Sequence, residues 1–188
     1  GFTPLSAQLE PAQLFSLLNR YFEAIAAAVI AEQGLLDKFI GDGAMALFGL
    51  GEDAEHACRK AMKAAATILR DIAILNEGLE KQFTVRLEVV VGIHSGPSIV
   101  GVMGYGAAKT LTAIGDTVNL GARLEALTKE LGVPMLISEY TAAELKDAIP
   151  LRPLRRVKVQ GREAPLLVYC PESLIEGDLE FAPDSSAP

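Results

Sequence analysis

The chain has 188 residues, half of them hydrophobic and 22% charged, which is the balance of a globular domain with a full core and not of a disordered segment. A net charge of -7 and a pI of about 4.9 argue against a general nucleic-acid binder, which needs a basic face. They leave a nucleotide substrate open, because metal ions and a few local cations can hold a triphosphate.

Cys58 and Cys170 match neither a zinc spacing nor a disulfide framework, so a reducing cytosol is the expected setting. No apolar run is read as long enough to span a membrane: Ala24 to Ala31 is the most apolar stretch, with Arg20, Glu23 and Glu32 close by. No basic segment followed by an apolar one opens the chain, so no secretory signal is expected.

The start at Gly1-Phe2-Thr3, without a methionine, reads as a piece of something longer. Pro11 suits the first turn of a long helix that Gly34 would end. Between them Leu14, Leu17, Leu18, Tyr21, Phe22, Ile25, Ala28 and Val29 recur at helical spacing. Apolar runs on either side of Asp42-Gly43 predict a β-hairpin with a tight turn. A second long helix is predicted from about Ala54 to Glu80. Strands are expected at Leu87 to Ile93, Ser98 to Met103 and Leu111 to Ile114, with a break at Ser95-Gly96-Pro97. Asp116-Thr117 caps a helix ending near Gly132. A strand at Met135 to Ser138, a short helix at Thr141 to Asp147 and a hairpin of Arg155 to Gln160 with Leu166 to Tyr169 complete the pattern. Residues 1–170 are therefore expected to form the folded domain, and 171–188 an acidic, Pro- and Ser-bearing flexible tail. Mixed strands and helices with hairpins predict an α+β fold, helices packed on a mainly antiparallel sheet.

Nucleotidyl transfer needs metal carboxylates, phosphate donors and cations for the transition state. Asp42, at a hairpin tip, can reach a divalent cation, but Asp-Gly is also favoured in hairpins for backbone reasons alone. Lys38, on the same strand, can pair with a base or phosphate, or be a solvated edge lysine. Asn119 and Arg123, spaced i, i+4, present an amide and a guanidinium on one helix face, suited to a ribose and a pentavalent phosphorus. Taken alone they read as a first-turn amide and a surface arginine. Backbone N–H groups in Gly1 to Ser6, ahead of the first helix, suit phosphates. His94 is read as structural.

In order and wording these stretches resemble the class III adenylate/guanylate cyclase catalytic domain. The resemblance is carried by Gly1-Phe2-Thr3, by Asp37-Lys38-Phe39-Ile40-Gly41-Asp42-Gly43 running on to Gly49, by Val91-Gly92-Ile93-His94-Ser95-Gly96, and by Ile114-Gly115-Asp116-Thr117-Val118-Asn119-Leu120 with Ala122-Arg123-Leu124-Glu125.

The resemblance implies a ferredoxin-like α+β domain that dimerises head to tail, with active sites between two chains. It further implies conversion of ATP to cyclic AMP and pyrophosphate with two Mg²⁺ or Mn²⁺ ions per site. Asp42 is then the second of two metal aspartates, the first lying upstream of Gly1 and absent from the sequence. Asn119 orients the ribose, Arg123 serves the transition state from the opposite chain, and Phe2 and Thr3 belong to the phosphate-binding turn. Lys38 and Thr112 select adenine: the ammonium donates to N1 and the hydroxyl accepts from the exocyclic amine. Guanylate cyclases typically carry Glu and Cys there.

Many members carry a lysine before the glycine of the last hairpin. Gln160 stands at that position, with Lys158 or Arg162 as substitutes. A bicarbonate response and an upstream regulatory domain are further expectations, with the domain cytoplasmic and membrane attachment through an upstream region left open. Two alternatives remain, a guanylate cyclase and a catalytically silent cyclase-like module that binds nucleotide or dimerises.

Overall fold

The computed structural model describes residues 5, 8–83, 86–106, 108–146, 148–158 and 164–175. Its elements in chain order are α1 (Pro11–Ala31), β1 (Leu35–Ile40), β2 (Gly43–Leu47), α2 (Ala54–Phe83), β3 (Val91–Ile93), β4 (Ile99–Tyr105), β5 (Ala108–Ile114), α3 (Asp116–Leu131), β6 (Met135–Ser138), α4 (Glu139–Leu145), β7 (Leu151–Val157), β8 (Leu166–Pro171) and α5 (Glu172–Ile175). The fold is α+β, and among the described ladders only β3–β6 is parallel. The chain divides into two compact units: Gly1–Val89 with Ser98–Gly115, and Val90–Pro97 with Asp116–Pro188.

The first unit holds α1, α2 and the hairpins β1–β2 and β4–β5. Glu10 opens α1 in a reciprocal capping box with Gln13, and Pro11 stands in the first turn, where its missing N–H costs nothing. Leu17, Tyr21, Ile25, Ala28 and Val29 are the buried stripe of α1. They share a core with Ile68, Ile72, Leu75 and Leu79 of α2. Over an 18-residue window α1 reaches a mean hydropathy of 1.4, enough by length and composition to cross a membrane. This corrects the expectation that no such segment exists. The three- and four-residue recurrence of its buried stripe, packed on α2, is equally the pattern of a core helix.

The predicted strand from Leu87 is shorter than expected, and the ladder begins only at Val91. Leu87 instead gives its backbone to a side chain. Its N–H donates to Asn76 Oδ1 (2.8 Å) and its carbonyl accepts from Asn76 Nδ2 (2.9 Å), with Asn76 buried. The amide acts as the missing strand partner.

The second unit is a four-stranded sheet in the order β3-β6-β8-β7, covered by α3. Leu120, Leu124 and Thr128 line the buried face of α3. The two leucines pack on Leu136, Val157, Leu166 and Val168. Gly92 lets β3 and α3 meet at the backbone: a Cβ there would stand 2.4 Å from Glu125 N and 2.6 Å from Gly121 O. Pro171 closes β8, and the single turn α5 follows before the described residues end at Ile175.

Candidate active site

In the first unit β1 and β2 are joined by the two residues Gly41 and Asp42, with Ile40 opposite Gly43. The sequence reading centred this turn one residue later. Gly41 has φ +62°, the positive value a II′ turn requires at its first central position, so the glycine belongs there and Asp42 takes the second. Asp42 is exposed, in a shallow depression lined also by Leu17, Tyr21, Leu87 and Glu88.

The register of β1 shifts between Leu36, opposite Ala46, and Lys38, opposite Met45, so Asp37 is left without a strand partner. This is a β-bulge, a device that re-aims side chains. In an unbroken strand, Asp37 and Lys38 would point to opposite faces. Here both reach Thr112 of β5. Lys38 Nζ donates to Thr112 Oγ1 at 2.9 Å, and Thr112 Oγ1 donates to Asp37 Oδ2 at 2.5 Å. Lys38 Nζ also lies 3.4 Å from Asp37 Oδ2. The Lys38 side chain is 41% exposed, that of Asp37 wholly buried, and Thr112 is buried. Asp37 Oδ1 is buried without a hydrogen-bond partner. The cluster presents an ammonium donor and a hydroxyl side by side.

In the second unit Asn119 and Arg123 lie one residue ahead of Leu120 and Leu124, on the stripe of α3 flanking its buried face. Asn119 is exposed and Arg123 half-buried. The start of α3 is tied down where Thr117 Oγ1 donates to the Pro97 carbonyl at 2.5 Å. His94, read as structural, has Nδ1 2.8 Å from Ser138 Oγ, and its ring meets Tyr140 edge-on. Phe2, Thr3, Gln160 and Arg162 lie outside the described residues, while Lys158 is exposed just beyond β7.

Among the described residues no three or more His, Cys, Asp or Glu side chains gather into a metal cage. One exposed carboxylate at a hairpin tip instead suits a cation shared with substrate phosphates, the usual way Mg²⁺ is held.

The family model of the adenylate and guanylate cyclase catalytic domain matches residues 1–171. The chain belongs to that family. Adenylate cyclase of Anabaena cylindrica is 33% identical over 176 residues, covering 90% of this chain and 34% of that protein. Adenylate cyclase 1 of Rhizobium meliloti (strain 1021) is 31% identical over 172 residues, covering 89% and 25%. The chain thus spans about a third or less of these curated relatives. Among solved structures, adenylyl cyclase CyaB from P. aeruginosa superposes on this cyclase domain with a TM-score of 0.81 at 30% identity, covering 90% of this chain and 87% of that one. Guanylyl cyclase Cya2 gives 0.79 at 26%, covering 90% and 85%. These likenesses bear out the α+β cyclase fold and leave both purine nucleotides open as substrates.

Asp37 is the residue to which the sequence reading gave no role. It lay within the motif, but strand alternation put it on the far side from Lys38, and only the bulge brings it round.

Proposed function

We propose that this domain is an adenylate cyclase that converts ATP to 3′,5′-cyclic AMP and pyrophosphate. The observation that carries the reading is the 2.9 Å pairing of Lys38 with Thr112 across β1 and β5. The ammonium donates to adenine N1, and Thr112 Oγ1 accepts from the exocyclic amine. Guanine would set its N1–H against the ammonium. The names of the Anabaena and Rhizobium relatives and of CyaB point the same way.

Asp42 would hold the metal together with the triphosphate. Mg²⁺ or Mn²⁺ held there, two ions per site by the family resemblance, would neutralise phosphate charge and lower the pKa of the 3′-hydroxyl. Asn119 orients the ribose. Arg123 balances the charge that grows on the α-phosphate as the 3′-oxygen bonds to phosphorus and the bond to pyrophosphate breaks. The 3′-hydroxyl proton leaves to water or a substrate phosphate oxygen. Phe2 and Thr3 serve the phosphates.

Asn119 and Arg123 are proposed to come from a second copy in a head-to-tail homodimer. Exposed apolar side chains on β4–β5, among them Ile99, Val102, Met103 and Tyr105, support a covered face there. Buried Cys58 and Cys170, with no disulfide between them, suit a cytoplasmic setting. The activity and regulation of any longer protein that carries this domain are proposals on the same footing.

The test is incubation with ATP, or separately GTP, plus Mn²⁺, measuring cyclic nucleotide and pyrophosphate. Cyclic AMP with little cyclic GMP, lost in Arg123→Ala, is the expected result. Preference for GTP would favour the guanylate reading, to which the likeness to Cya2 gives its support. Nucleotide binding without product would favour a silent module.

A further inference from the structure

We propose that Asp37 is a specificity-determining positioning residue, which fixes Thr112 as a hydrogen-bond acceptor and so enforces the choice of adenine over guanine. The inference rests on the adenylate reading and adds to it the device by which the site rejects the other purine.

A threonine hydroxyl can donate or accept, so on its own it would take either an exocyclic amine or a carbonyl oxygen. Thr112 does not have that freedom. An ammonium only donates and a carboxylate only accepts, so between Lys38 Nζ at 2.9 Å and Asp37 Oδ2 at 2.5 Å the hydroxyl proton must point to Asp37. With one lone pair accepting from Lys38, only the second lone pair and no proton remains toward a bound base. That lone pair suits the amine of adenine and meets the O6 carbonyl of guanine as acceptor against acceptor. An unmade pairing in a desolvated site is where large discrimination comes from. Asp37 is wholly buried beneath the pair, out of reach of a base, so it acts through Thr112 and Lys38. The bulge lets two consecutive residues of one strand converge on the same hydroxyl.

The experiment measures displacement of a fluorescent ribose-labelled nucleotide by ATP and by GTP, with cyclic AMP and cyclic GMP formation beside it. Wild type, Asp37→Leu, Asp37→Asn, Thr112→Val and the Asp37→Leu/Thr112→Val double variant are compared. The wild-type ratio tests the adenylate reading by itself, and a preference for GTP there overturns both. Given an ATP preference, Asp37→Leu should release the hydroxyl proton and narrow the ATP-to-GTP ratio by about tenfold. Asp37→Asn should hold the ratio within about threefold, because its carbonyl still accepts from Thr112. In the Thr112→Val background Asp37→Leu should change the ratio no further. An unchanged ratio in Asp37→Leu, or an equal loss with and without the Thr112 hydroxyl, overturns the proposal. If thermal unfolding shows that Asp37→Leu is not folded, Asp37→Ala takes its place with the same two readings.

Discussion

Replacing Gly92 with alanine tests how the helix that carries Asn119 and Arg123 is placed. The added methyl would stand 2.4 Å from Glu125 N, 2.6 Å from Gly121 O and 3.0 Å from Glu125 Cα, all backbone atoms of α3. Ordinary contact begins at 3.4 Å, so relief needs a displacement of about 1 Å of strand or helix. No side chain can rotate away, which puts the cost near the upper end of overpacking, about 3 kcal/mol. For a domain of this size that lowers Tm by roughly 6–12 °C. A shift of about 1 Å in α3 also misplaces Asn119 and Arg123, enough to cost about a hundredfold in rate. Thermal unfolding and cyclic AMP formation are the two readouts. Gly78→Ala, where nothing lies within 4 Å of the new methyl on an exposed position of α2, is the control and should be stabilising. A Gly92→Ala domain with unchanged Tm and a rate within twofold of wild type would refute the close-packing argument.

Asn76→Leu removes both hydrogen bonds to Leu87 and leaves its N–H and carbonyl unmatched, so urea denaturation should show a loss of about 2–4 kcal/mol. A loss below about 0.5 kcal/mol would mean that water replaces the amide without cost. Burial pushes the Cys170 thiol up to about 11 from an ordinary 9.0. Folded protein should therefore react slowly with iodoacetamide at Cys170 and quickly once unfolded, and equal rates would contradict that burial. Because the folded value is the raised one, this contribution to stability is complete below pH 9.0 and disappears as pH climbs through about 11. Mixing Asp42→Ala with Arg123→Ala chains should restore about a quarter of the wild-type sites if each site draws on two copies, and no rescue would count against a shared site.

Much of the fold is written in local patterns. The buried stripe of α1, the presence of the β1–β2 hairpin though not the register of its turn, and the Leu120, Leu124, Thr128 face of α3 all follow from periodicity and turn chemistry. The flanking position of Asn119 and Arg123 follows with them, since residues one ahead of a buried i, i+4 row must lie on its edge. Leu87 to Val90 fails for an identifiable reason. The run is apolar enough for a strand, but periodicity reports side-chain burial and not who receives the backbone hydrogen bonds. At Leu87 the receiver is Asn76, 11 residues earlier on α2. No local pattern announces that a helix side chain will stand in for a strand.

The Lys38–Thr112 pair lies between these cases. That both residues meet a purine is a proposal drawn from the family resemblance. Their shared contact with Asp37 was not legible in the sequence. It depends on the bulge: strand alternation assigns Asp37 to the wrong face, and the shifted register returns it to the right one. A buried carboxylate with one oxygen unpartnered is an unfavourable feature in stability terms. A plain apolar residue would pack there without that cost. The arrangement makes physical sense where the other oxygen, held by Thr112 and 3.4 Å from the Lys38 ammonium, performs a task that an apolar side chain cannot. Setting the direction of one hydroxyl proton is such a task. On that proposal the bulge, which weakens the β1–β2 ladder at that residue, has a reason to fall beside Lys38 and not elsewhere along the strand.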